Sequence, residues 1–309
     1  MKKYLPIVIS LLLVLVVAFV TIWQKNSTVV EKEKVNDIGT FSKQQSCAKH
    51  PNFLNKLKIP QPIAIDLSQQ QHKGLVFLYG QGLGKAVHLK TWEKFDHFST
   101  YALDPKGNMY LTPMPYISVK ENTFEFQKSI YKLDTNSGKL SVWMSLDEVR
   151  AGGNNPYGVI SLDYDCDDHT LWVSAIDETD YDTNRGVIYH IDVKSKKVLQ
   201  RIEGVDALTV RLLHSSQGKY LLYGSARQSG LFALKIEDSM LAANSIQLVE
   251  LSNANEHIRK IKVRANNTLE LQTIPFSYSL IAQTSRGEDR KFYGLSWDTS
   301  SSSWELSSK

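Results

Sequence analysis

The sequence predicts an all-β fold: a β-propeller with five or six four-stranded blades, preceded by one N-terminal transmembrane helix. A pattern of strand, turn, strand, loop, strand, turn, strand recurs at a spacing of roughly 40 to 60 residues, which is typical of propeller blades. Clusters of Asp, Asn, Gly and Lys interrupt the β-branched and aromatic runs, as tight turns require. The helix is predicted from an uncharged segment near the N-terminus.

Four complete blades can be recognised in the sequence. The clearest covers residues 160–199, and an earlier copy covers residues 101–143. An aromatic residue marks the third strand of each copy: Tyr131, Tyr189, Phe232 and Tyr293. A partial unit with strands at 62–66, 74–79 and 86–90 precedes them. The number of blades is therefore five, or six if the N-terminal segment donates strands that close the ring.

Length and composition favour one large domain over residues 61–309. The chain has 309 residues, of which 42% are hydrophobic, so it can bury a single core. Its net charge of +4 is small, and its basic residues are interspersed with acidic ones. Nucleic-acid binding requires a concentrated basic surface, so we expect no nucleic-acid partner.

Residues 4–23 are uncharged and long enough to span a bilayer as a helix. Tyr4 and Trp23 bracket this segment, and Lys2 and Lys3 precede it. The positive-inside rule places residues 1–3 in the cytoplasm and the C-terminal domain on the extracytoplasmic or periplasmic side of the plasma (inner) membrane. The alternative is a cleaved signal sequence, which would make the protein secreted.

Residues 24–60 are predicted to form a polar stalk between the anchor and the propeller, because they offer little to bury. The chain has two cysteines, Cys47 in this segment and Cys166 in a turn between two strands. Export places both in an oxidising compartment, and we expect a disulfide that straps the stalk to the turn face of the propeller. Two unpaired thiols are the alternative.

The long loops of a propeller gather on one face, and binding residues are common on loops held by a rigid scaffold. Arginine there would select an acidic or polar partner. The alternative interpretation is that these are ordinary solvated loops. The candidate ligand-binding residues are Arg150, Asn155, Tyr157, Arg185 and Arg227.

The loop at 180–186 has oxygen-bearing side chains at alternate positions, a spacing that can direct several ligands toward a hard ion such as calcium. The candidate metal ligands are Asn155, Asp180, Asp182 and Asn184. The alternative is that these side chains cap turns. We therefore expect either no cofactor or a divalent metal. The sequence lacks Gly-x-Ser-x-Gly and His-Glu-x-x-His, so no catalytic residue is assigned.

Residues 155–159, Asn-Pro-Tyr-Gly-Val, are followed by a Leu-Asp strand and by Thr-Leu-Trp-Val-Ser at 170–174. This pattern resembles the start of a blade in NHL-type and gluconolactonase-like six-bladed propellers, and the resemblance covers about residues 95–240. It implies a central calcium or zinc held by Glu, Asn and Asp side chains, with Asn155 at one liganding position. Residues 166–173 and 186–192 are also similar to the royal jelly and yellow protein propellers, which bind small ligands.

The functional prediction is a membrane-anchored extracytoplasmic propeller that binds a protein, a glycan or a small molecule through its loop face. The alternatives are a metal-dependent lactonase or esterase of the gluconolactonase type, and a structural scaffold of an envelope complex.

Overall fold

The computed structural model describes residues 37–42, 44, 46–67, 72–95, 97–114, 124–152, 155–278, 290–298, 300–301 and 303–308. These residues form five antiparallel sheets that follow one another along the chain, which confirms the predicted all-β propeller with five blades. In blades 2 to 5 the four strands lie side by side in chain order.

Within the described part of the chain, four short helices connect or precede the strands: α1 (Asn52–Lys56) and the 3-10 helices η1 (Gln81–Leu83), η2 (Lys90–Phe95) and η3 (Phe124–Lys128). The strands are, in blade 1, β1 (Ile63–Asp66), β2 (Val76–Tyr79) and β3 (Lys85–Val87); in blade 2, β4 (Phe98–Leu103), β5 (Met109–Pro113), β6 (Ser129–Leu133) and β7 (Leu140–Ser145); in blade 3, β8 (Val159–Asp165), β9 (Thr170–Ala175), β10 (Val187–Asp192) and β11 (Val198–Glu203); in blade 4, β12 (Ala207–Ser215), β13 (Gly218–Ser225), β14 (Gly230–Glu237) and β15 (Met240–Glu250); and in blade 5, β16 (Glu256–Val263), β17 (Thr268–Pro275), β18 (Lys291–Asp298) and β19 (Ser303–Ser308).

The first strands of blades 2 to 5, here called the inner strands, contact their neighbours across the blade boundaries. Side chains on one inner strand accept hydrogen bonds from the main chain of the next. Leu162 N–H donates to Thr100 Oγ1 at 3.2 Å, and Val210 N–H donates to Ser161 Oγ at 3.1 Å. Hydroxyl groups therefore join successive blades where no β-ladder exists.

Each inner strand of blades 2 to 5 carries a β-bulge near its N-terminal end. The register with the second strand shifts by one residue at 99–100 in β4, at Ile160 in β8, at Leu208 in β12 and at Arg259 in β16. A bulge turns a side chain out of the regular alternation of a strand. The four bulges occupy corresponding positions, so they bring these residues together around the centre of the propeller.

Blade 3 is the most enclosed of the described sheets. Every residue of β8 and β9 is buried, whereas the outer strand β11 alternates between half-buried and exposed positions. The indole of Trp172 stacks on the imidazole of His190 with ring centroids 3.8 Å apart. Apolar packing between adjacent blades therefore forms the core, and the outer strands face solvent on one side.

Blade 1 has three strands among its described residues, as predicted for the partial first unit, and not the four of the later blades. After β3 the chain forms η2, whose Trp92 and Phe95 are buried against blade 2. The Trp92 indole N–H donates to the carbonyl of Gly138 at 2.9 Å. The bulky aromatic side chains of the short helix thus fill the space between blades 1 and 2.

The described residues between 37 and 54, here called the strap, run along the turn face, which carries the first turn of each blade. They belong to the predicted stalk at 24–60, but Ile38, Phe41, Phe53 and Leu54 are buried. Their apolar side chains explain why this segment lies on the propeller. The hydrogen bonds of the strap follow one another from blade 5 to blade 2. In blade 5, Phe41 N–H donates to Asn267 Oδ1 (2.6 Å); in blade 4, Thr40 N–H donates to Ser216 Oγ (2.9 Å), and His214 N–H donates to Gln44 Oε1 (2.6 Å). In blade 2, Lys49 N–H donates to the Asp104 carbonyl (3.3 Å), and Phe53 N–H donates to the Thr135 carbonyl (2.8 Å).

The predicted disulfide between Cys47 and Cys166 is confirmed, with the two Cα atoms 5.8 Å apart. Cys166 lies in the turn between β8 and β9, so the bond attaches the strap to blade 3. The predicted membrane span at 4–23 lies outside the described residues. Within the described part of the chain, no helix has the length and apolar character needed to cross a membrane.

Candidate functional site

The loop face carries the loops between second and third strands and the connections between blades. A buried polar cluster on this face is centred on Asp206, which directly precedes β12. The buried carboxylate accepts hydrogen bonds from Thr179 Oγ1 at 2.8 Å and from the Tyr278 phenol at 3.0 Å. Burial raises the pKa of the Asp206 carboxyl. The hydrogen bonds that this carboxyl accepts act to lower the pKa, but burial outweighs them. Asp206 thereby joins loops from three consecutive blades.

Arg227, in the loop between β13 and β14, holds the neighbouring blade-3 loop. Its Nη1 donates to the carbonyl of Asp180 at 2.7 Å and its Nη2 donates to the carbonyl of Tyr181 at 2.8 Å. The same Nη1 lies 3.4 Å from Asp206 Oδ2. The predicted ligand-contacting Arg227 therefore uses its guanidinium to fix a loop.

The side chains of the candidate metal loop are engaged in local turn contacts. Asp180 Oδ1 accepts the N–H groups of Asp182 at 3.0 Å and Thr183 at 2.6 Å, an arrangement common in Asx turns. These backbone hydrogen bonds, that of Thr183 first, lower the pKa of Asp180. Asn184 donates its amide to the carbonyl of Gly204 at 2.7 Å.

Asn155, the remaining candidate ligand, is buried at the start of blade 3. Its amide donates to the carbonyls of Ile176 at 3.3 Å and Thr179 at 2.7 Å, and its Oδ1 accepts the N–H of Tyr157 at 3.0 Å. Across the residues that the structure describes, no three His, Cys, Asp or Glu side chains form a group that could hold a metal ion. The side chains of Asn155, Asp180 and Asn184 are therefore engaged in hydrogen bonds that hold turns and loops.

Three exposed charged residues lie together on the blade-3 side of the loop face. Glu178 Oε2 lies 3.1 Å from Arg185 Nη1 and 3.7 Å from Arg150 Nη1. The side chains of Arg150, Arg185 and Glu178 are 69%, 55% and 41% exposed. Since exposed ion pairs contribute little free energy, solvent and an incoming partner can compete for these groups.

An aromatic row crosses the loop face from its rim to its interior. The ring of Tyr181, which is 70% exposed, stands edge-on to Tyr278 with centroids 5.3 Å apart. Tyr278 meets Phe276, and Phe276 meets Tyr157, again with centroids 5.3 Å apart in each pair. Tyr181 also donates its hydroxyl to Ser277 Oγ at 3.0 Å.

We call Arg150, Glu178, Tyr181 and Arg185 the binding patch.

Gly186 ends the blade-3 loop directly against the start of blade 4. The Val205 N–H donates to the Gly186 carbonyl at 3.0 Å, and a Cβ at position 186 would collide with the side chain of Asp206. A glycine is therefore required where the loop approaches the buried carboxylate.

The start of blade 5 has its own buried carboxylate, Glu256. Its oxygens accept hydrogen bonds from the Lys291 ammonium, from the Tyr293 phenol at 2.7 Å and from the Asn253 amide at 3.0 Å. Burial acts to raise the pKa of Glu256, but these hydrogen bonds outweigh it and lower the pKa. This carboxylate ties β16 to β18 and to the preceding turn.

Arg150 and Arg185, two of the predicted site residues, share the carboxylate of Glu178, whereas sequence reasoning did not select Asp206, Glu256 or Arg259. Asp206 and Glu256 each stand at the start of an inner strand. Arg259 occupies a position that is apolar in blades 3 and 4, at Ile160 and Leu208. Aligning the starts of the blades would have shown a charged residue at that position.

Searches by sequence find no protein-family model and no curated protein that matches the chain. Among solved structures, the chain is similar to a putative oxidoreductase (glucose dehydrogenase) from Thermus thermophilus, with a TM-score of 0.45, 13% identity and coverage of 82% of this chain and 84% of that one. It is also similar to a glucose dehydrogenase (TM-score 0.40, 14% identity, 68% and 72% coverage) and to a luciferin-regenerating enzyme (TM-score 0.39, 11% identity, 80% and 77% coverage).

Proposed function

We propose that the protein binds an acidic or polar partner through the binding patch without carrying out chemistry itself. The observation that carries this proposal is the clamp between Arg227 and the carbonyls of Asp180 and Tyr181. The clamp holds an exposed tyrosine and the loop that leads to Arg185 in one conformation. A preorganised loop loses little conformational entropy when a partner binds, so more of the contact energy appears as affinity.

The chemistry of the patch favours an acidic group on the partner. Tyrosine and arginine are the residue types that most often dominate binding energy at interfaces. Arg150 and Arg185 share one carboxylate, Glu178, so the patch has one net positive charge. Because both guanidinium groups are largely exposed, a partner carboxylate or phosphate can take over their hydrogen bonds at small cost.

The proposed partner is an extracytoplasmic protein, glycan or small molecule. A disulfide persists in an oxidising compartment, and the bond between Cys47 and Cys166 supports export of the domain. We propose that residues 4–23 anchor the chain in the plasma (inner) membrane with the propeller outside.

Site-specific photocrosslinking in the native host tests the binding patch. Tyr181→p-benzoyl-phenylalanine should give an adduct, whereas the same substitution at Leu199, an exposed position on β11 of the same blade, should not. Combining the position-181 probe with Arg150→Ala and Arg185→Ala should reduce the adduct at least threefold. Arg201→Ala, which removes an exposed arginine of the same blade, is the matched control. Equal adducts at positions 181 and 199 would contradict the proposal.

A metal-dependent hydrolase acting on lactones or esters is the second candidate. The observation in its favour is that polar side chains are buried at the starts of the inner strands of blades 2 to 5: His97, Asn155, Asp206 and Glu256. The contacts of Asn155, Asp206 and Glu256 with protein groups do not fit a metal site, so no catalytic step is assigned to them.

Elemental analysis and a substrate screen separate the two candidates. One equivalent of calcium or zinc retained through dialysis, with lactone hydrolysis that Asn155→Ala abolishes while the protein stays folded, would establish the hydrolase. Adducts at position 181 without bound metal or hydrolysis would leave the binding function.

A further inference from the structure

Arg259 is the bulged residue of β16, and its side chain lies near the centre of the propeller. It is 8% exposed. Its Nη1 donates to the carbonyl of Leu208 at 2.8 Å, and its Nη2 donates to Ser99 Oγ. Leu208 and Ser99 lie in the bulges of β12 and β4. The guanidinium therefore connects three inner strands, of which β4 belongs to blade 2 and β16 to blade 5.

The charge of Arg259 has no counterion among the described residues. A guanidinium has five N–H donors, and the two acceptors of Arg259 are a carbonyl and a hydroxyl, both neutral. No carboxylate of the described chain forms an ion pair with it; the exposed Arg264 on the same sheet, by contrast, pairs with Glu270 at 2.6 Å. The remaining donors of this guanidinium therefore have no carboxylate acceptor among the described residues.

The surroundings of Arg259 also favour an anion. Burial lowers the pKa of Lys260, and the positive charges of Arg259, Arg290 and Lys262 lower it further, against a smaller opposite effect of Asp66. Cations therefore outnumber carboxylates among the described groups that act on this neighbouring lysine. Burial lowers the pKa of Arg259 itself to about 10, so the guanidinium stays protonated at neutral pH.

Burying an ionised group without a partner is strongly unfavourable, and buried charges in proteins are paired as a rule. We propose that the propeller binds a small anion, a halide or the carboxylate group of an organic ligand, at Arg259 between β4, β12 and β16. Both chemistries supply one negative charge and accept hydrogen bonds from the remaining guanidinium donors.

Apolar residues occupy the bulges next to that of Arg259. Ile160 and Leu208, which occupy the corresponding bulges in blades 3 and 4, belong to one buried apolar cluster with Tyr157. This surrounding strengthens a single ion pair, but it offers no further charge for a polyanion.

Thermal unfolding of the full chain in a neutral detergent tests the site. The protein is dialysed into potassium methanesulfonate, and chloride or acetate then replaces this bulky anion at constant ionic strength. A ligand of the folded state at ten times its Kd should raise the Tm by about 3 °C or more. Arg259→Met should abolish the rise, whereas Arg264→Met should retain it. A response to chloride identifies a halide site, and a response to acetate alone identifies a carboxylate site.

Equal rises in the wild type and in Arg259→Met would overturn the proposal, as would no rise with either anion. If Arg259→Met fails to fold, anomalous diffraction from wild-type crystals soaked in bromide, together with a difference map after a soak in acetate, decides. A bromide or acetate peak beside the Arg259 guanidinium supports the site, and peaks confined to other places overturn it.

Discussion

The phenol of Tyr278 donates a 3.0 Å hydrogen bond to the buried carboxylate of Asp206. Tyr278 follows β17 in blade 5, and Asp206 precedes β12 in blade 4. The same carboxylate accepts a hydrogen bond from Thr179 in blade 3. One aspartate therefore determines how the loops of three blades meet beneath the binding patch.

The raised pKa of Asp206 makes the stability of the propeller depend on pH in a defined direction. Because burial raises the pKa in the folded state, the folded protein holds this proton more tightly than the unfolded chain does. The contribution of Asp206 to stability is therefore greatest below the ordinary aspartate pKa of about 3.9, and it decreases as pH rises through the folded-state pKa. Asp206→Asn should remove this decrease. Denaturant unfolding at a series of pH values measures it.

Tyr278→Phe is the matching variant, because it removes a hydrogen bond that lowers the pKa of Asp206. We expect its pH-dependent loss of stability to extend to higher pH than in the wild type. Identical pH profiles for the wild type, Asp206→Asn and Tyr278→Phe would contradict the assignment.

Gly186→Ala should disrupt the blade-3 loop, because the new Cβ would meet Asp206 and the carbonyl of Val205. We expect a loss of about 1–3 kcal/mol, as for other overpacked positions, and faster amide exchange over residues 180–186. Gly152→Ala is the control, since a Cβ at position 152 meets no atom within 4 Å. Similar exchange rates at 180–186 in both variants would show that the loop does not depend on this close approach.

Glu256→Gln should weaken the start of blade 5. The lowered pKa of Glu256 means that its stabilising effect is present above the ordinary glutamate pKa of about 4.3 and is lost as pH falls through the folded-state pKa. At pH 7 we expect a loss of about 1–3 kcal/mol, since a buried charged acceptor of several hydrogen bonds is replaced. Denaturant unfolding should show the difference shrinking below pH 4. A constant difference across this range would exclude the charge as its cause.

The repeat was visible in the sequence because each blade places turn residues between short apolar strands. Tyr131, Tyr189, Phe232 and Tyr293 mark the third strands β6, β10, β14 and β18 as predicted. The three strands of blade 1 also fall where the pattern placed them. Local periodicity and turn chemistry carry this information, and both are properties of neighbouring residues.

The roles of individual site residues could not be predicted in the same way. Arg227 was expected to meet a ligand, but it reaches carbonyl groups more than 40 residues away in the sequence. Asp180 and Asn155 have the chemistry of metal ligands, yet their oxygens accept nearby N–H groups. Such choices depend on which loops of adjacent blades come together, and no repeat period encodes that.

The disulfide between Cys47 and Cys166 should stabilise the whole domain, because it attaches the strap to blade 3. The bond closes a loop across a sequence separation of 119 residues, and loops of this length are expected to contribute about 4–5 kcal/mol in the chain-entropy account. We expect the double variant Cys47→Ser, Cys166→Ser to lose about 2–5 kcal/mol in denaturant unfolding, and reduction of the wild type to give the same loss. Reductant should leave the double variant unchanged, which controls for other effects of the reagent. Amide exchange should also increase at Thr40 and Phe41 and over residues 40–49 in general, since the N–H groups of Thr40 and Phe41 donate to the side chains of Ser216 and Asn267 in turns of blades 4 and 5. A reduced wild type that keeps both its stability and its protection at 40–49 would show that the buried side chains of Ile38 and Phe41 hold the strap without the covalent bond.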